Sequence, residues 1–250
     1  MDLISIKSKR EIEIMRDSGK ILRDAHLLVG EKIQEGMSTL DIDKIAYDFI
    51  RAHNAEPSFL GYNGFKGTAC VSVNEELLHG IPNAKKIIKN GDIVKVDLGV
   101  FLNGFHTDAA RTHGVGEIKK EYADLIERTR ESFFKGIAFA DSDHRLGDVC
   151  HAIGEYIESF GYGVVRSYIG HGVGAKLHEP PDIPNYGTPN RGVRLRTGMT
   201  LAVEPMVNLG TYAVKVLNDG WTVVTADGSM CAHYENTILI TDNGAEILTL

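Results

Sequence analysis

Residues 92–112 read DIVKVDLGVFLNGFHTDAART. Two apolar-rich runs flank Asn103-Gly104, a dipeptide that tolerates the positive φ values of a type I′ turn. The segment is expected to form a β-hairpin. A two-residue loop fixes its register: Leu102 faces Phe105, Asp97 faces Ala110 and Asp108 faces Gly99. The two acids then leave the same face as diagonal neighbours, with Cα atoms about 7–8 Å apart. Two carboxylates can converge on one ion from there. Without a cation they would repel, and one would keep a proton.

Working outward, Ser8-Lys9-Arg10-Glu11 has the form of a capping box. Behind it Ile12, Met15, Ile21, Leu22, Ala25 and Leu28 recur at helical spacing. Lys7, Lys9 and Arg10 read as a solvated helix start. A second helix should begin near Ser38 or Thr39, turn Ile42, Ile45, Ala46, Phe49 and Ile50 inward, and stop near His53-Asn54. Residues 55–66 read as a loop, 69–73 as a strand, and His79-Gly80-Ile81-Pro82 as a turn. From about 118 the pattern starts again. Helices near 118–139 and 144–160 precede a strand at 164–170 and a turn at His171-Gly172-Val173-Gly174. A strand at 199–205 leads to a hairpin of 221–225 with 230–240, turned by Asp227-Gly228. The expected architecture is α+β: one domain spanning 1–250, with two similar halves, roughly 1–115 and 116–250, around one site.

The chain has 250 residues, 43% hydrophobic and 24% charged, with a formal net charge of −7. No basic surplus offsets phosphates, which argues against nucleic acid as a partner. Cys70, Cys150 and Cys231 are odd in number and widely spaced, so a disulfide framework is not expected and a reducing cytoplasm is. No apolar run is long enough for a membrane span or a signal peptide.

Asp97, Asp108, His171, Glu204 and Glu235 each fall in a strand or at a strand end, beside Gly or Pro. Four carboxylates and one imidazole suit one or two divalent first-row cations, such as Co, Mn, Fe or Zn. Two such ions can activate a water and polarise a carbonyl together. The glycines of Gly170-His171-Gly172-Val173-Gly174 lack the Lys and spacing of a nucleotide loop. They read as positions where the backbone passes close to the metals.

The strings Leu78-His79-Gly80-Ile81-Pro82, Val96-Asp97-Leu98-Gly99, Thr107-Asp108-Ala109-Ala110-Arg111-Thr112, Gly170-His171-Gly172-Val173-Gly174, Leu177-His178-Glu179-Pro180, Ala202-Val203-Glu204-Pro205 and Tyr234-Glu235-Asn236-Thr237 resemble those of type I methionine aminopeptidases, in that family's order. The resemblance covers nearly the whole chain. It implies a pita-bread fold, a curved antiparallel sheet covered by helices. It also implies removal of the initiator Met from nascent proteins, favouring a small second residue, by a cytoplasmic monomer holding two metal ions, with the ribosome as a possible partner.

By the same resemblance Asp97 chelates one metal, Asp108 and Glu235 bridge, and His171 and Glu204 complete the other. Glu204 doubles as the base. His178 donates to the scissile amide or the oxyanion, and His79 contacts the amide nitrogen or the residue after the cut. Phe59, Tyr62, Phe65, Cys70, Leu177 and Trp221 line the side-chain pocket. Glu179 reads as a supporting or surface acid, and His106 and His233 are expected to have no catalytic part, a place behind the ligands being the lesser reading. Three alternatives stay open: an Xaa-Pro aminopeptidase or prolidase with the same ligand set, a non-catalytic binding protein on the same fold, and a cysteine peptidase built on Cys70. No helical insertion of the type II kind fits between His171 and Glu204.

Overall fold

The computed structural model describes residues 4–250. The first helix, α1 (Lys9–Lys32), starts at Ser8, whose hydroxyl accepts from the Glu11 amide while the Glu11 carboxylate accepts from the Ser8 amide. This satisfies two of the amides a helix start leaves bare. Ser38 and Asp41 repeat the device at α2 (Thr39–Ala52). The second helical pair is α3 (Lys120–Ile137) and α4 (Leu146–Glu158).

A nine-stranded sheet lies beneath the helices. Its main path runs Glu56–Pro57, Ile93–Leu102, Phe105–Gly114, Glu235–Thr241, Thr200–Val203, Gly170–Gly172, Glu179–Ile183. Ala69–Val73 pairs with 93–102, and Gly244–Ile247 with 235–241. The central hairpin has the register its turn demands: Leu102 opposite Phe105, Gly99 opposite Asp108, Asp97 opposite Ala110.

Alternation along 93–102 divides its side chains. Val94, Val96, Leu98 and Val100 are fully buried in one core with Leu22, Ala25 and Val29 of α1 and Ile42, Ala46 and Ile50 of α2. Burying each larger aliphatic side chain contributes about 1.5–3 kcal/mol. Lys95, Asp97 and Gly99 point to the other face. A matching core joins Phe133 of α3 and Val149 and Ile153 of α4 to Leu201, Val203, Ile238 and Ile240. Both helical pairs therefore back the sheet, and its opposite face is left for the site.

Three expectations are corrected. Residues 164–170 are not one strand. Gly163–Val164 joins a small sheet with Met206–Asn208 and Cys231–His233, and the chain then crosses to Gly170–Gly172 in the main sheet. His171 is thus a strand residue and not part of a turn. Nor do 221–225 and 230–240 form a hairpin. Val223–Thr225 pairs with Val214–Val216 and Glu76–Leu78, and the 230–240 run breaks at Tyr234, whose amide donates to Pro205 O. Asp227 accepts from Thr211 N and Ser229 N, so it fastens its loop to a distant segment. Third, Lys7 is not solvated: only 4% of its side chain is exposed, in an ion pair with Glu179. Among the described residues no helix is long and apolar enough to cross a membrane.

Candidate metal centre

The sheet's free face carries the five proposed ligands on four strands and one strand end. Asp97 and Asp108 come from the hairpin. The 235–241 strand lies beside it, with Glu235 opposite Ala110. His171 sits opposite Ala202, two residues before Glu204. Asp108 is pinned through its backbone: its amide donates to Thr237 Oγ1, and that hydroxyl donates back to Asp108 O, each at 2.9 Å. Asn185 Nδ2 donates to Glu204 O at 2.9 Å.

The His171 ring is oriented by its own strand. Nδ1 lies 2.9 Å from Gly172 O, so it carries the proton and Nε2 presents a bare lone pair. Nε2 is 3.8 Å from Asp108 Oδ2 and 3.7 Å from Glu204 Oε1. Burial pushes this imidazole down to about 3, which keeps it neutral. Asp108, His171 and Glu235 bring one ligand atom each within 4.8 Å of one another. Glu204 and Glu235 form a second such group with His233, whose Nε2 lies 3.4 Å from Glu204 Oε2.

The acids are crowded together in the interior, where the Arg111 charge offsets only a small part of the burden on Glu235. Burial, then the neighbouring carboxylates, hold Asp97, Glu204 and Glu235 well above the usual carboxylate range. Burial pushes Asp108 up to about 7. Asp97 Oδ1, Asp108 Oδ1 and Glu235 Oε1 are buried without a hydrogen-bond partner, a state that costs free energy unless something satisfies them. Arg111 donates to the backbone oxygen of Glu235, not to its carboxylate. Converging hard oxygens with one neutral nitrogen fit divalent cations, which would satisfy the orphaned atoms.

A pH dependence follows. A carboxylate whose folded pKa is raised contributes stability that is fully present below its unfolded pKa and lost as pH rises through the folded one. For Asp108 that window runs from 3.8 to about 7, and the other three acids act in the same direction. The metal-free protein should therefore melt at lower temperature above the window than within it. Added divalent cations should restore stability most on the alkaline side, where fewer protons need displacing. Calorimetry of chelator-treated protein across this range, with and without metal, measures both.

One cavity of about 240 Å³ joins these ligands to every other proposed site residue. His79, His178, Phe59, Tyr62, Phe65, Cys70, Leu177 and Trp221 all line it. Phe59, Phe65, Cys70 and Leu177 form a buried apolar cluster, with Trp221 packed against it. Gly99 has no room for a side chain: a Cβ there would meet Ser58 Cβ at 2.7 Å and Phe59 Cε1 at 2.9 Å. Burial, then the charges of Asp97 and Asp108, push the Cys70 thiol well above its ordinary value. That opposes the thiolate a cysteine peptidase needs.

Two histidines stand over the acids. The His178 Nδ1 is 2.8 Å from the Tyr62 hydroxyl, and its ring centroid is 4.2 Å from that of His171. A Tyr62 hydroxyl that donates to Nδ1 leaves the ring proton on Nε2; one that accepts leaves it on Nδ1. His79 adopts φ of 57°, a left-handed conformation uncommon outside Gly and Asn. Such strain is held only where the surroundings enforce it. Its ring packs edge-on to Tyr168 and Trp221, and burial lowers it to about 4.

Asn63, Leu78, Tyr168 and Ile169 also line the cavity. Sequence reasoning missed them, since Tyr168 and Ile169 lay in the presumed unbroken strand. The glycines around His171 need another account as well. A Cβ on Gly170 would strike Ala202 O at 2.4 Å, and one on Gly172 would strike Pro180 O at 2.3 Å. They let strands approach one another.

The sequence matches the model of metallopeptidase family M24 over residues 13–242. It is 54% identical to the methionine aminopeptidase of Clostridium acetobutylicum, over 99% of each chain. The structure superposes on the crystal structure of a methionine aminopeptidase from Thermotoga maritima with a TM-score of 0.97. The two are 50% identical and the match covers 99% of each chain. A prolidase from Pyrococcus furiosus gives a TM-score of 0.80 at 27% identity, covering 98% of this chain but 65% of that one.

Proposed function

From the premise that the chain belongs to metallopeptidase family M24, among its methionine aminopeptidases of type I and with their pita-bread fold, we propose how its residues share the work. The enzyme removes the initiator Met. In our reading Asp97, Asp108, His171, Glu204 and Glu235 hold two divalent cations within one catalytic domain of two halves. Bound there, the cations would supply an activated water and polarise the scissile carbonyl. What supports this reading is that all five side chains line one cavity with a buried apolar cluster, and that three of the acids carry buried oxygens without a partner.

The remaining roles belong to the protein. The thioether side chain enters the cluster of Phe59, Phe65, Cys70, Leu177 and Trp221, where Tyr62 closes the wall. Burial there contributes binding energy and excludes water from the carbonyl. Neutral His171 would give one directed lone pair, while the carboxylates would offer hard oxygens suited to divalent cations. Glu204 takes the proton of the attacking water. His178 donates from Nε2 to the carbonyl oxygen as charge develops on it, the kind of interaction that is usually the largest catalytic contribution. His79 faces the amide nitrogen and, with Tyr168, crowds the residue after the cut, which favours a small one.

Nascent chains bearing N-terminal Met are the substrates in this reading, in the cytoplasm. Turnover of Met-Ala-Ser, Leu-Ala-Ser and Met-Pro peptides tests it. The Met-Ala-Ser peptide should exceed the Leu peptide by about 10-fold or more, the range one hydrophobic pocket can discriminate. A preference for Xaa-Pro bonds would favour a prolidase-like specificity instead.

A further inference from the structure

We propose that Lys7 and Glu179 form a buried clamp that positions His178, so that the segment ahead of α1 is a working part of the active site. This deepens the reading above and rests on the carbonyl role given to His178. Lys7 Nζ donates to Glu179 Oε2 at 2.7 Å, with side-chain exposures of 4% and 10%. The same ammonium donates to Ser5 Oγ, and the Ser5 hydroxyl donates to Glu179 Oε2 at 2.7 Å. Oε1 of that carboxylate accepts from the Lys176 amide at 3.0 Å. The side chain of Glu179 thereby closes the turn 176–179, and His178 lies inside that turn. At its far end the clamp is fixed by the Lys7 amide, which donates to Gly198 O at 2.8 Å.

Gly174 supports the assignment independently. A Cβ there would lie 2.4 Å from Lys7 Cε, 2.8 Å from Lys7 Nζ and 2.9 Å from Glu179 Oε1. The last glycine of the Gly170–Gly174 motif therefore makes room for the ammonium. The backbone at Gly174 is also tied to the hairpin, since Gly174 O accepts from the His106 amide at 2.8 Å. A buried ion pair is a poor way to gain net stability, but losing one partner is costly because the other charge is left uncompensated. Its use here is to give the His178 turn one conformation. Tyr62 fixes the ring, and the clamp fixes the backbone that carries it.

The clamp acts through His178 and touches no substrate, so Lys7 and Glu179 are positioning residues. Lys7→Met should lower kcat roughly tenfold, the scale of loss expected when a catalytic group is displaced by a fraction of an ångström. KM for a Met-Ala-Ser peptide and metal content should stay near those of the parent. In a His178→Ala background the same Lys7→Met change should cost nothing further. Amide exchange at Lys176, Leu177 and His178 should accelerate in the metal-free Lys7→Met protein, with α1 and α2 unchanged. Gly174→Ala keeps both charges but displaces the ammonium, and should reproduce the pattern if Lys7→Met folds poorly. Equal losses with and without His178, or unaltered exchange across 176–178, would overturn the clamp. Full turnover by His178→Ala alone would remove the carbonyl role and the catalytic half of this proposal, while the exchange result still decides whether the clamp orders the turn.

Discussion

Replacing Asp108 with Ala should reduce turnover of a Met-Ala-Ser peptide by about a thousandfold or more, because in our assignment its oxygens would hold the cations that supply the chemistry. Metal retained after dialysis should fall in parallel. The metal-free variant should nevertheless be no less stable than the metal-free parent above about pH 7, where the parent must bury an ionised carboxylate at this position. That combination separates a ligand from a structural acid. A structural acid would lose stability on truncation and keep its metal. Turnover that survives the substitution with metal present would remove the dinuclear reading altogether.

His178→Ala should lower kcat by about a hundred- to a thousandfold, the usual cost of losing one donor to a developing oxyanion. KM should change little, since the donation strengthens as the transition state forms. Metal content should not change, because His178 is not a ligand in our assignment. Tyr62→Phe should give a smaller loss of the same kind, as it removes only the hydroxyl 2.8 Å from Nδ1. Steady-state kinetics on the three proteins, with metal quantified in each, decides the matter. A rise in KM at constant kcat would mean that His178 merely binds the substrate.

The hairpin was legible because a two-residue Asn-Gly turn leaves one register, and register dictates which side chains share a face. Both capped helices were legible for a similar reason: the cap and the apolar stripe are local. The parts that escaped notice depend on partners far along the chain. Nothing near Gly163 announces that Val164 will pair with Val207, and nothing near Asp227 announces that it will hold Thr211. Lys7 sits among basic residues before a helix, which looks like a solvated start. Its burial depends on Glu179 and Gly174. His79 was recognised by its neighbours in sequence, but its left-handed φ was not, since Gly80 and Pro82 suggested only a turn. The pocket wall was incomplete at Tyr168 and Ile169 because those residues belong to a crossing that no periodicity marks.

The two faces of the 93–102 strand set a rule for how this enzyme can diverge. Asp97 and Gly99 face the site while Val94, Val96, Leu98 and Val100 serve α1 and α2, through one unbroken pleat. Point substitutions can retune either side alone. Inserting or deleting a single residue before Asp97 would exchange the two sides, pressing a carboxylate against α1 and turning valines toward the site. Length in this strand should therefore be frozen across descendants even where side chains drift, and the room for growth lies in the tips beyond Leu102 and Phe105.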